Sequence, residues 1–138
     1  MKIFTFSKKE HICKRNEFKQ LVLQGKSFYH FPFRCVYLIK PSNELQIKLG
    51  ISIAKKNIKH AFQRNYIKRI IRESYRLNKF IIYESFENQP MELALLLIYT
   101  EKKQPTYNLI ETSVKSLLNK VIKIDSRNQL KNTTINDN

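Results

Sequence analysis

The chain has 138 residues, enough for one domain with one modest core. Hydrophobic residues make up 42%, too many for a fully disordered chain. Lys and Arg number 26 against 11 Asp and Glu, a formal charge of +15 that biases partners toward nucleic acid or an anionic membrane and identifies no fold.

The membrane alternative has little else behind it. No apolar run reaches the roughly 18–20 residues of a spanning helix, and MELALLLIY (91–99) is about half that. The N-terminal MKIFTFSKKEH turns charged again too early for the apolar stretch of a signal peptide. Without an export signal, Cys13 and Cys35 read as reduced thiols of a cytoplasmic protein. His11, His30 and His60 show no Cys/His spacing suited to zinc, so no metal site built from protein ligands alone is expected.

In chain order, residues 14–25 predict a short helix, with Asn16 as N-cap, Glu17 in the first turn and Gly25 closing the end. Phe18, Leu21 and Val22 share one face of it. A short strand is expected near Ser27–His30, broken before Pro32. Residues 33–39 alternate Phe33, Cys35, Tyr37 and Ile39 against Arg34, Val36 and Leu38, which predicts a strand with one aromatic face. PSNE (41–44) predicts a turn, and 45–53 the returning strand of a hairpin. A basic helix follows from about Ile58 to Leu77, with an extension toward Ile82. After a break at Asn88–Pro90, Glu92–Tyr99 predicts a strand apolar on both faces and central in a sheet. Residues 106–122 carry Ile110, Val114, Leu117, Leu118 and Val121 on one helical stripe. From Ser126 the chain is polar and rich in Asn, predicting one domain over 1–125 and a disordered tail over 126–138. The order α, two or three β, α, β, α suits one mixed sheet with helices chiefly on one side.

The basic helix is the most informative segment. Residues 55–76 hold eight Lys or Arg and a single acid, Glu73. At about 100° per residue, Arg64, Lys68, Arg72 and Arg76 form one i, i+4 row flanked by Asn65 and Arg69, while Ile67, Ile70, Ile71 and Ser74 face a core. Like charges at i, i+4 cost roughly 0.2–0.5 kcal/mol per pair, so three successive pairs cost an isolated helix about 1 kcal/mol. A helix needing only solubility would intersperse Glu. This surface suits a polyanion, with guanidinium forks for phosphate and Lys as compact charge. Lys55 and Lys56, just before the helix, can add contacts.

Residues for autonomous catalysis are scarce. There is no HExxH, no Gly-rich phosphate loop and no nucleophile–His–acid motif, and the acids are scattered rather than clustered to hold a divalent metal. No catalytic residue is assigned. A second surface is conceivable where Phe18, Phe33 and Tyr37 line a groove between the first helix and the sheet and stack unpaired bases. Core packing is the competing explanation for alternating aromatics.

The segment LGISIAKKNIKHAFQRNYIKRIIRESYR resembles the signature of the bacterial ribonuclease P protein subunit, in which a strand ending in Lys-Lys leads into a helix bearing Arg-Asn-Arg, Ile-Lys-Arg and Arg-Glu. Here these stand as Lys55-Lys56, Arg64-Asn65-Tyr66, Ile67-Lys68-Arg69 and Arg72-Glu73, and the likeness spans roughly residues 10–122. It implies an α+β fold, a two-layer αβββαβα sandwich of the ribosomal protein S5 domain 2-like type with a left-handed βαβ crossover, against the usual right-handed preference. It implies a cytoplasmic protein that assists endonucleolytic removal of the 5′ leader from precursor tRNA. The RNA subunit would supply the active site and hold the catalytic Mg2+. The implied partners are that RNA subunit and precursor tRNA, with no membrane and no obligate protein partner. By the same resemblance Lys55, Lys56, Asn57, Arg64, Asn65, Lys68, Arg69, Arg72 and Arg76 would bind the RNA subunit. Phe18, Tyr37 and Phe33 would line the leader cleft. Two positions depart from the pattern: Tyr66 replaces the second Arg of Arg-Asn-Arg, and Val22 stands where an aromatic is common. A general RNA-binding protein, such as a ribosomal one, is the alternative that composition alone leaves open.

Overall fold

The computed structural model describes Glu10 and residues 15–136, with side-chain surroundings described for Glu10 and residues 17–125. The expectations for Cys13 and His11 lie outside them, and Asn16 falls inside the first helix, which already includes Arg15, rather than at its cap. The elements are α1 (Arg15–Gln24), β1 (Lys26–His30), β2 (Phe33–Pro41), β3 (Gln46–Ile53), α2 (Ala61–Asn78), α3 (Phe80–Ser85), β4 (Met91–Tyr99) and α4 (Tyr107–Asn136).

One four-stranded sheet has the order β1-β2-β4-β3. β4 is central, as its nearly unbroken apolar run predicts. It pairs antiparallel with β2, from Phe33↔Tyr99 to Pro41↔Met91, and parallel with β3, from Gln46↔Glu92 to Ile53↔Tyr99. The hairpin predicted between 33–39 and 45–53 does not form. β4 inserts between those two strands, and the hairpin is instead β1–β2, turning at Phe31 and Pro32. A strand with two apolar faces gains most at the sheet centre, so it displaces the nearer but half-polar neighbour.

Strand alternation separates two apolar clusters. Phe33, Cys35, Tyr37, Ile47, Leu49, Leu93, Leu95, Leu97 and Tyr99 point to one face, where they meet Ile67 and Ile71 of α2, Ile82 of α3, and Ile110, Val114, Leu117 and Leu118 of α4. On the other face Leu96 packs with Val36, Leu38, Ala94 and Ile98 beneath Phe18 and Leu21 of α1. α2, α3 and α4 thus make the helical layer, and α1 lies alone across the sheet. Burial pushes the Cys35 thiol up to about 12, which leaves it inert as a nucleophile.

The helix α4 runs on past residue 125, where the sequence predicts a disordered tail. Residues 126–136 contain no Pro or Gly to stop a helix.

Polar contacts pin the helices. Lys79, buried at the α2–α3 junction, donates to both Glu10 carboxylate oxygens at 2.9 and 2.8 Å, and the Tyr83 hydroxyl donates to Glu10 at 3.0 Å. Lys48 of β3 bridges Glu17 of α1 at 3.2 Å and Glu92 of β4 at 3.4 Å. Burial opposes the Lys48 charge, but the Glu17 hydrogen bond and the two carboxylates outweigh it and raise its pKa. Gly25 ends α1 by donating its backbone N–H to the Leu21 carbonyl at 2.8 Å. It needs no left-handed backbone. It is needed for close approach: a Cβ there would press on the Leu21 carbonyl and lie 3.0 Å from both the Tyr37 carbonyl and Val36 Cγ1.

Gly25→Ala should therefore lower stability by about 1–3 kcal/mol, the range for overpacking. Urea denaturation followed by circular dichroism reads this as a lower midpoint. An unchanged midpoint would show that α1 does not depend on that close approach.

Candidate nucleic-acid interface

α2 forms because its apolar residues recur on one side. Ile67, Ile70, Ile71, Ser74, Tyr75 and Asn78 are buried, and Asn65, Arg69, Arg72 and Glu73 are exposed. The sequence anticipates this division. It does not show how the cations differ. Successive i, i+4 steps drift about 40° around the helix, so the row crosses the exposed face obliquely. Arg64 and Lys68 are half-buried at one flank, Arg72 is exposed, and Arg76 returns to a half-buried position.

Their partners differ too. Arg64 turns back and donates from Nη1 to the Ile58 and Lys59 carbonyls, both at 2.8 Å. It fastens the approach loop to the helix. Arg76 pairs with Glu73 through two hydrogen bonds, which hold the Glu73 carboxyl below the usual carboxylate range. Among the described residues Lys68 and Arg72 make no ion pair. The Arg69 guanidinium lies 5.3 Å from the centre of the Tyr66 ring, which is half-buried against the main core. Tyr66, the departure from Arg-Asn-Arg, thus supports the neighbouring arginine. Lys55, Lys56 and Asn57 occupy a tight turn after β3, closed by Asn57 and Ile58 backbone N–H groups on the Ala54 carbonyl, both at 3.1 Å. Lys55 and Lys56 are exposed, and Ile58 is buried as the loop's anchor.

The predicted groove needs correcting. Phe18 lies on the α1 side of the sheet, but Phe33 is fully buried and Tyr37 is 8% exposed on the opposite side. Phe33 packs edge-on against Tyr99 at 6.1 Å between ring centres, and Tyr37 lies 6.0 Å from Phe28. Side chains alternate along a strand, so the residues of β2 that face α1 are Arg34, Val36, Leu38 and Lys40. Phe33 and Tyr37 are core residues. Another aromatic stands on the α1 side: Tyr29, 52% exposed, is the register partner of Arg34. Arg34 pairs with Ile98 and Ile98 with Ser52, so Tyr29, Arg34, Ile98 and Ser52 form one row across the sheet. Tyr29, Arg34 and Ser52 are exposed. On α1, Val22 stands one turn beyond Phe18 and is 67% exposed. The parity of Tyr29 opposite Phe28 was the signal in the sequence that could have found this row.

Beside Glu17 and Gln20 of α1 a small pocket of about 180 Å3 is lined also by Leu38, Lys40, Lys48 and Glu92, and it holds the Lys48 ion pairs. A roomier cleft of about 610 Å3 lies between Phe31 and the loop of Lys102 and Lys103. Among the described residues no group of three or more His, Cys, Asp or Glu is placed to hold a metal ion. Among them, too, no helix is long and apolar enough to cross a membrane.

Comparison with known proteins gives this surface a context. The model of the family described as Ribonuclease P matches residues 6–122. The ribonuclease P protein component of Clostridium novyi is 35% identical over 112 residues, covering 80% of this chain and 92% of that protein. That of Porphyromonas gingivalis is 28% identical over 116 residues, covering 83% and 85%. Among solved structures, the RNase P protein of Thermotoga maritima superposes with a TM-score of 0.62 at 24% identity, covering 79% of this chain and 94% of that one. That of Staphylococcus aureus gives 0.60 at 24%, covering 83% and 96%. Those two structures bear on the fold, and the family match and the curated relatives bear on identity: the chain belongs to the ribonuclease P protein family, the protein component of a ribonucleoprotein endoribonuclease that acts in tRNA 5′ processing.

Proposed function

We propose that α2 and the turn before it dock on the catalytic RNA subunit, and that the open groove beside α1 receives the 5′ leader of precursor tRNA. The carrying observation is the exposed side of α2, where Lys68 and Arg72 have no ion pair among the described residues and Arg69 is braced on Tyr66. Lys55, Lys56, Lys68, Arg69 and Arg72 are the phosphate contacts. Asn57 and Asn65 add neutral hydrogen-bonding groups at the same surface. Arg64 acts by holding the loop carbonyls, and Arg76 contributes through a charge already shared with Glu73.

In the groove, Phe18 is the stacking residue and Tyr29 with Arg34 is its counterpart on the sheet. The protein then raises affinity and positions RNA, and the chemistry belongs to the RNA subunit. Magnesium is held there, by phosphates rather than by this chain's scattered carboxylates. One sheet and one main core support residues 1–125 as a single domain, and in this reading it binds RNA in the cytoplasm without an obligate protein partner.

With five phosphate contacts, log affinity for the RNA subunit should fall with log salt at a slope of about −3.5 to −4.5. Arg72→Ala should make that slope shallower by about one contact while the helix signal in circular dichroism persists. A slope near zero would remove the electrostatic mechanism, and a lost helix signal would mean Arg72 serves the fold.

Cleavage of a leader-bearing precursor tRNA at low magnesium should be strongly enhanced only when protein and RNA subunit are combined. Activity from the protein alone would refute the assignment of chemistry to RNA. Phe18→Ala should weaken binding of the leader-bearing precursor about tenfold, as loss of one stacked base predicts, with little change for mature tRNA. Equal weakening for both RNAs would take the leader out of this groove.

A further inference from the structure

The start of α2 carries an aromatic pair that the phosphate contacts leave unused. Phe62 is 71% exposed. The His60 ring stacks on it, with ring centres 5.5 Å apart and planes inclined by 24°. This fold forgoes most of the stabilisation that burying a Phe side chain would contribute.

The pair stands on a rigid base. Gln63 and Arg64 backbone N–H groups bond to the His60 carbonyl at 3.1 and 3.2 Å. Arg64 ties down the carbonyls of Ile58 and Lys59. Phe62 also heads the exposed strip of α2: Asn65 follows at i+3, about 60° round the helix, and Arg69 at i+7, within about 20° of the same direction. Lys59 is exposed beside the pair, and the chain has no acid between Glu44 and Glu73.

An apolar ring set among cations does not suit a protein partner, which would bury it against a broad apolar patch. It suits a ligand that is anionic along its backbone and presents π-faces. Resting on the RNA-binding reading above, we propose that His60 and Phe62 form a stacking platform for one unpaired base of the RNA subunit, just beyond the phosphates that lie along α2. Stacking of this kind is tolerant of base identity, because every base has a π-face. It adds affinity that salt does not screen.

The test measures binding of the transcribed RNA subunit to the full-length protein across a salt series. Phe62→Ala should weaken binding about tenfold with the salt slope unchanged. Phe62→Trp should retain wild-type affinity, and Phe62→Leu, apolar but without a π-face, should behave like the alanine variant. Alanine within twofold of wild type, or leucine equal to wild type, would overturn the platform. Wild-type binding that shows no salt dependence would instead overturn the reading on which the platform rests. The exposed position of Phe62 keeps all three variants foldable, and circular dichroism confirms it.

Discussion

β4 carries apolar side chains at eight of its nine positions, Glu92 being the exception, and such a strand needs neighbours on both edges and cover on both faces. β2 and β3 supply the edges. The covers are unequal. The residues alternating from Met91 to Tyr99 meet three helices, whereas on the other face Leu96 is buried near a ten-residue α1 and Ala94 and Ile98 are covered only in part. Because β3 runs parallel to β4, the chain must cross over between them, and α2 is that crossover. The strand thereby creates both surfaces of interest. Its second face stays partly open beside α1, and its pairing with β3 sends a basic helix across the protein with one side free.

This explains which features were legible in the sequence. Helical periodicity is local, so the buried side of α2 and the stripe of α4 could be read directly. Strand pairing is not local. The turn at Pro41–Glu44 has the same composition whether β3 returns beside β2 or passes over to a more distant place. Only the need of β4 for two neighbours decides between them. Alternation in β2 likewise divides Phe33, Cys35 and Tyr37 from Arg34, Val36 and Leu38 without saying which set faces α1. A set read on the wrong face fails as a whole, which is how Phe33 and Tyr37 fell to the core. Charge partners were the remaining blind spot. The sequence shows Arg64 and Arg76 as equals of Arg72, although one fastens a loop and the other is matched by Glu73.

The differences among the cations suit α2 to a polyanion better than a uniform row would. A guanidinium held by two backbone carbonyls contributes its field without changing position. It fixes the turn from which Lys55 and Lys56 project. Arg69, resting on the Tyr66 ring, loses less conformational freedom on meeting a phosphate than an unsupported side chain would. Tyr66 has exchanged one positive charge for the placement of another. Lys68 and Arg72 remain to adjust to whatever phosphate geometry arrives.

The same arrangement links binding to folding. Repulsion between Lys68 and Arg72, the i, i+4 pair that no carboxylate relieves, opposes the helix by roughly 0.2–0.5 kcal/mol, and burial of Ile67, Ile70, Ile71 and Tyr75 more than offsets it. A polyanion laid along the exposed side removes that repulsion, so part of the binding free energy is strain relieved in the protein itself. By linkage, a ligand that binds only the folded chain stabilises it in proportion to its saturation. The cost of leaving Lys68 and Arg72 without an ion pair among the described residues is thus carried by the core while the protein is alone, and a polyanion on that side would return it.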